Sequence, residues 1–145
     1  MNKAYEKERA YILTHLTKMD IRKSRMLCEP QIQRFNDLQP DERDQVIYSE
    51  VMAYGPFATE VPPFEGEVTS REEFHPTQRL DHAFQVFNYI LVPDKLSLVP
   101  CGSSVGPFWI VYFEDVYLGV GKTIEMAICI SAIVINDAIT YKMNM

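Results

Sequence analysis

The sequence predicts an α+β fold: a small three-stranded antiparallel sheet packed with helices and preceded by a helical N-terminal arm. Three observations carry that expectation. Phe108–Phe113 is an unbroken run of aromatic and β-branched residues, and Val116–Val120 returns after the short break Glu114-Asp115. The first half of the chain places its apolar residues at helical spacings of three, four and seven. Thr123 then opens a long apolar stretch that runs to Thr140. At 145 residues the chain is long enough for one compact domain with its own core. Its 47% apolar and 12% aromatic content is that of a folded protein, not a disordered one.

From the N-terminus, residues 3–19 read as a helix with Tyr5, Ile12, Leu16 and Met19 on one face. A second helix starts at Asp20 as N-cap and reaches Cys28; Pro30 interrupts it before Gln31–Phe35 resumes as a helical turn. Gln39-Pro40-Asp41-Glu42 is a helix start with proline in the first turn and two acids at the positive end of the dipole. That helix runs to Ala53 with Ile47, Val51 and Tyr54 as its stripe, and Gly55-Pro56 ends it. Residues 55–76 form a proline-rich acidic loop, longer than an ordinary connection. Thr77 caps a helix whose stripe is Leu80, Phe84, Phe87 and Leu91. Lys95–Val99 is a short strand, and Pro100–Ser104 a turn. The domain organisation is a helical extension over 1–38 and an α+β unit over 39–145.

Charge divides along the same line. Residues 1–37 hold eight Lys/Arg against five Asp/Glu, and residues 38–145 hold six against fifteen. A net charge of −6 and a pI near 5.0 argue against nucleic-acid binding by the acidic body. A basic arm on that body is suited to docking on it, to an outside partner, or simply to solvent. Cys28, Cys101 and Cys129 are odd in number and widely spaced, which supports neither a disulfide framework nor a metal site. No cofactor motif stands out. The first residues lack the apolar core of a signal peptide, and no run of about 18 apolar residues predicts a membrane span. A reducing cytoplasm is the expected compartment.

Two stretches invite a chemical reading. Gly119-Val120-Gly121-Lys122-Thr123 opens a helix and resembles the end of a phosphate-binding loop, but Asp115 and Val116 stand where the first glycine is needed. What survives is an anion held by exposed N–H groups and Lys122, with Gly119, Gly121, Lys122, Thr123, Trp109 and Tyr112 as the candidate ligand-binding residues. Its bland counterpart is a capped strand-to-helix turn. His15-Leu16-Thr17 and His75-Pro76-Thr77 echo the paired His-x-Thr signature of two-histidine phosphoesterases. Neither lies in an alternating strand pattern, so no catalytic residue is assigned and the chain is expected not to be an enzyme.

Residues from about Pro40 to Thr140 resemble the phage ABA-sandwich domain family. Three blocks carry the resemblance: Asp44–Tyr54 as the first helix, His75–Phe87 as the second after a proline-rich loop, and Lys122–Ala132 as a closing helix with a Thr cap before an Ala-Ile-Cys run. The resemblance implies a bacteriophage origin and a structural signature without a settled activity. The resulting expectation is a phage accessory protein in the host bacterial cytoplasm that acts by binding a host protein, with a defence component in view. A sponge for an anionic nucleotide-type small molecule is the alternative, and a phosphoesterase through His15 and His75 the third reading. The closing helix is apolar on most sides, which predicts cover by the N-terminal arm or by a second subunit in a homo-oligomer.

Overall fold

The computed structural model describes residues 3–52, 73–90, 95–103 and 106–144. Residues 53–72, with Tyr54 and most of the acidic loop, and Leu91 fall outside these residues. Helices α1 (Lys3–Thr14), α2 (Lys18–Leu27), α3 (Glu29–Asp37) and α4 (Pro40–Val46) come first, and α4 widens into a π-helical turn at Ile47–Val51. Helix α5 (Leu80–Ile90) precedes strands β1 (Leu96–Ser103), β2 (Gly106–Phe113) and β3 (Val116–Gly121), and α6 (Ile124–Met143) closes the chain. The strands form one antiparallel sheet in the order β1-β2-β3, as the sequence predicts.

Several boundaries differ from expectation for local reasons. The first helix stops at Thr14 because Thr17 starts another: its hydroxyl accepts the Asp20 N–H at 3.2 Å, and the Asp20 carboxylate accepts the Thr17 N–H at 2.8 Å. This reciprocal pair is a capping box, so Thr17 is the N-cap and Asp20 its third helical residue. Pro30 does not break α3; it sits in the first turn, where its missing N–H has no partner to lose. The π turn at Ile47–Val51, with the Met52 N–H bonded to the Ile47 carbonyl, turns Ile47, Tyr48, Val51 and Met52 all into the core.

Helix α5 buries a different face from the one its largest side chains suggest. His82, Ala83, Gln85, Val86 and Ile90 point inward, while Leu80 and Phe84 are exposed. Thr77 does not cap α5, because its hydroxyl is held by Asp44 instead. Strand β1 continues through Pro100 to Ser103. The Glu114 N–H bonds the Lys95 carbonyl, which fixes Lys95–Glu114 as a hydrogen-bonded pair and turns alternate β1 residues, Pro100 among them, toward the open edge. Proline is tolerated there because it has no ladder bond to give. In the β2–β3 turn Glu114 takes φ +55, a left-handed conformation that glycine normally occupies.

The core is a single cluster. It joins Leu13, Leu16, Ile21, Ile32 and Phe35 of the arm to Val111, Phe113 and Leu118 of the sheet and to α6. Helix α6 runs through its middle, packed against α5 and β3 and covered by α2 and α1. The Ser24 hydroxyl donates to the Val134 carbonyl at 2.6 Å, and Asn136 donates to the Glu50 carbonyl. Arg9, itself buried, lies 4.0 Å over the Tyr89 ring and ties α1 to α5. The arm is thus the cover that the apolar closing helix requires. By length and composition alone α6, 20 residues at a mean hydropathy of 1.5, is long and apolar enough to cross a bilayer, and 61% of that stretch is buried within the fold. Here that apolar surface is spent on the chain's own core.

Candidate functional site

The residues proposed as one anion site separate into different roles. Gly119 and Gly121 pair with Val111 and Trp109 and face α6. A Cβ on Gly121 would stand 2.6 Å from the Ala127 backbone nitrogen, and one on Gly119 2.8 Å from Ser131 Oγ. These glycines let the strand and the helix approach closely. Thr123 is the N-cap of α6, its hydroxyl accepting the Met126 N–H at 3.1 Å. Lys122 is exposed at the rim of a cavity of about 500 Å³ that also includes Asn36, Arg43, Phe108, Val120 and Met126. Arg43 is already committed there, since its guanidinium donates to the Phe35 and Asn36 carbonyls at 3.1 and 2.6 Å.

Trp109 and Tyr112 stand on opposite faces of the sheet, as their spacing predicts. Trp109 is packed against the core. Tyr112 lies on the outer face, opposite Tyr117, and Ile110 lies there between Val99 and Val120. This row across three strands, with Phe108 at one end, is partly exposed and lies outside the core cluster. Helices α6 and α2 pack on the sheet, α6 against β2 and β3 and α2 against β3.

Around Asp44 the structure gathers groups that sequence reasoning did not connect. Asp44 is buried. One carboxylate oxygen accepts the Thr77 N–H and hydroxyl, both at 2.7 Å. The other accepts Gln78 Nε2 at 2.6 Å and lies 3.1 Å from His75 Nδ1. The His75 N–H in turn donates to His82 Nδ1 at 2.9 Å. Asp41, Asp44 and His75 offer ligand atoms within 4.8 Å of one another, the spacing of a cation site. The Gln78 amide, however, already bridges Asp41 and Asp44, and Thr77 occupies the rest of Asp44. The arrangement is a lock that holds the segment before α5 on α4. A readable signal existed: Asp44 falls three residues before Ile47 and seven before Val51, on the buried stripe.

The two His-x-Thr triplets are likewise absorbed locally. His15 Nδ1 contacts the Tyr11 carbonyl at 2.7 Å, and its ring stacks on Tyr11 at 4.2 Å. Thr17 caps α2 and Thr77 binds Asp44. His15 and His75 share no hydrogen bond or ring contact among the described residues.

A three-stranded antiparallel sheet with a capped closing helix across one face, its strand glycines fitted to that helix, defines a small α+β module. A model of the phage ABA sandwich domain matches residues 45–133, more than half of the chain, and the protein belongs to that family. The matched span holds α5, the sheet and the first half of α6, while α1 to α3 lie before it. No curated protein and no solved structure matches the chain.

Proposed function

We propose that the protein is a bacteriophage accessory protein that acts in the host cytoplasm by binding a host protein, not by catalysis. Membership of a phage domain family supports the origin. The observation that carries the binding reading is the outer sheet face, where Tyr112, Tyr117, Ile110, Val120 and Val99 make an apolar and aromatic row outside the core. Lys122, just after β3, puts a positive charge at its margin, so the fitting partner presents an apolar surface with an acidic group at that edge. A component of the host's defence against phage is the partner to test first. The experiment compares capture from host lysate by the wild-type chain and by Ile110→Glu, followed by pairwise binding with the purified captured protein. The expected result is binding by wild type alone, with both chains melting alike. Equal binding by both, or by neither, overturns the reading.

The cavity beside Lys122 favours a second reading, sequestration of an anionic nucleotide. A ligand at about 100 times its dissociation constant stabilises the fold by about 2.7 kcal/mol. A thermal-shift series with cyclic nucleotides and ADP-ribose derivatives, on wild type and Lys122→Ala, tests it. Absence of any shift, or an equal shift in the variant, would remove it.

A further inference from the structure

Helix α2 carries Lys18, Arg22, Lys23 and Arg25 against one acid, Asp20. Three of these cations are matched inside the chain. Lys18 pairs with Asp115 at 2.9 Å. Lys23 reaches the Tyr141 hydroxyl and lies 4.1 Å from the centre of its ring. Arg25 pairs with Glu29 through one terminal nitrogen and donates to the Tyr117 hydroxyl at 3.3 Å through the other. Its Nε–H is buried without an acceptor. Arg22 is exposed and has no hydrogen bond or ion pair among the described residues. Its charge also acts on the Asp115 carboxylate, which Lys18 already holds.

Arg22 and Arg25 line a groove of about 650 Å³ together with Met26, Glu29, Val116 and Tyr117. Met26 is 77% exposed, an apolar and adaptable side chain held out beside the two guanidinium groups. We propose that this groove binds a compact apolar or aromatic group carrying a single anionic head, with the head at Arg22 and Arg25 and the body on Met26, Val116 and Tyr117. The groove is open to solvent, with an apolar wall for the body and a few placed polar groups to orient the head. Guanidinium is the cation suited to a carboxylate or phosphate oxygen pair. Glu29 offsets one of the two positive charges, so a monoanion matches the wall better than a polyanion does. A carboxylate and a phosphodiester share that chemistry. The groove shares Tyr117 and Arg25 with the margin of the outer sheet face, while Arg22 and Met26 stand on α2 and belong to the groove alone.

The test is NMR of the full chain with 13C-labelled methionine methyls. Probes are 2-naphthoate, adenosine 3′,5′-cyclic monophosphate and the neutral 2-naphthalenemethanol, and Met26→Leu identifies the resonance. The proposal expects a saturable shift of the Met26 methyl with at least one anion and none at Met19, which lies on α2 outside the groove. Naphthoate alone points to a carboxylate, and the cyclic nucleotide alone to a phosphodiester. Arg22→Gln is expected to weaken binding about tenfold with an unchanged melting temperature. No saturable Met26 shift with either anion, equal binding of the neutral alcohol, or equal binding by Arg22→Gln overturns the proposal. None of these outcomes bears on capture by the outer sheet face, which is read with Ile110→Glu.

Discussion

Asp44 holds Thr77 twice with one oxygen, accepting its backbone N–H and its hydroxyl at 2.7 Å each across 33 residues of chain. Replacing Asp44 by alanine strands both donors in a buried place, and unmet buried donors cost about 1–3 kcal/mol apiece. Asp44→Ala is therefore expected to lose about 3 kcal/mol in urea unfolding. Asp41→Ala, at a side chain 80% exposed, is expected to stay within about 0.5 kcal/mol. Added Mn²⁺ or Ca²⁺ should leave the wild-type midpoint unchanged. A midpoint that climbs with cation concentration would replace the lock with a metal site.

The Gly119–Gly121 segment makes a second contrast. A methyl group on Gly121 meets the Ala127 backbone nitrogen at 2.6 Å, where a rigid helix cannot yield. Overpacking of this kind costs about 1–3 kcal/mol. Gly102 has open space where a methyl group would stand, with nothing within 4 Å, and ordinary strand geometry. Gly121→Ala is expected to lower the melting temperature clearly, and Gly102→Ala to leave it within error. Equal effects at the two positions would mean that α6 does not approach β3 closely.

These two sites show what the sequence made legible. Phe108–Val120, the Glu114-Asp115 turn and the Thr123 cap could be read directly, because strand composition, turn length and cap chemistry are local. The face of α5 could not: Leu80-Phe84-Phe87 and Ala83-Val86-Ile90 both fall at helical spacings, and the partner helix selected the second. Gly119 and Gly121 misled for a related reason. Glycine before a helix serves anion binding and close packing alike, and only the position of Ala127 separates the two. Asp44 was hidden because its partners Thr77 and Gln78 lie across the proline-rich loop.

Thiol chemistry separates the three cysteines. Burial pushes the Cys28 thiol up to about 12, with the Ser24 hydroxyl opposing it in part. Burial also raises Cys129, helped by the nearby carboxylates of Asp44 and Glu125. Cys101 is exposed on the edge strand. Because the thiolate is the reactive form, Ellman's reagent at neutral pH is expected to titrate one thiol per native chain and all three after unfolding. Cys101→Ser should remove the native signal. A second fast thiol would show that α2 or α6 opens readily.

A pH effect is expected at the capping box. Burial raises the Asp20 carboxyl, but the Thr17 N–H, Lys142 and the Thr17 side chain outweigh it and hold it below the ordinary 3.8. A carboxyl lowered in the folded state stabilises above its unfolded value and loses that contribution as pH falls through the folded value. Asp20→Asn is therefore expected to be less stable than wild type at about pH 6, by about 0.5 kcal/mol for a solvent-accessible pair, with the gap closing below about pH 4. Salt should narrow the gap as well. A gap that widens on acidification would contradict the assigned direction.

Removal of residues 1–37 tests what α6 needs. That segment contributes Leu13, Leu16, Ile21, Cys28, Ile32 and Phe35 to the core, each at 8% exposure or less. Burying a large apolar side chain stabilises by about 1.5–3 kcal/mol, so the five large ones among these together match the typical net stability of about 5–15 kcal/mol. The deletion also uncovers the α6 flank that receives the Ser24 hydroxyl at Val134 and the Asp20 carboxylate at Lys142. The truncated chain, though it keeps the whole family-matched span 45–133, is expected to unfold or to elute as aggregates in gel filtration. A soluble, cooperatively melting monomer would show that the matched domain closes without the arm. A defined dimer would instead place a second copy of α6 where α1 and α2 now lie.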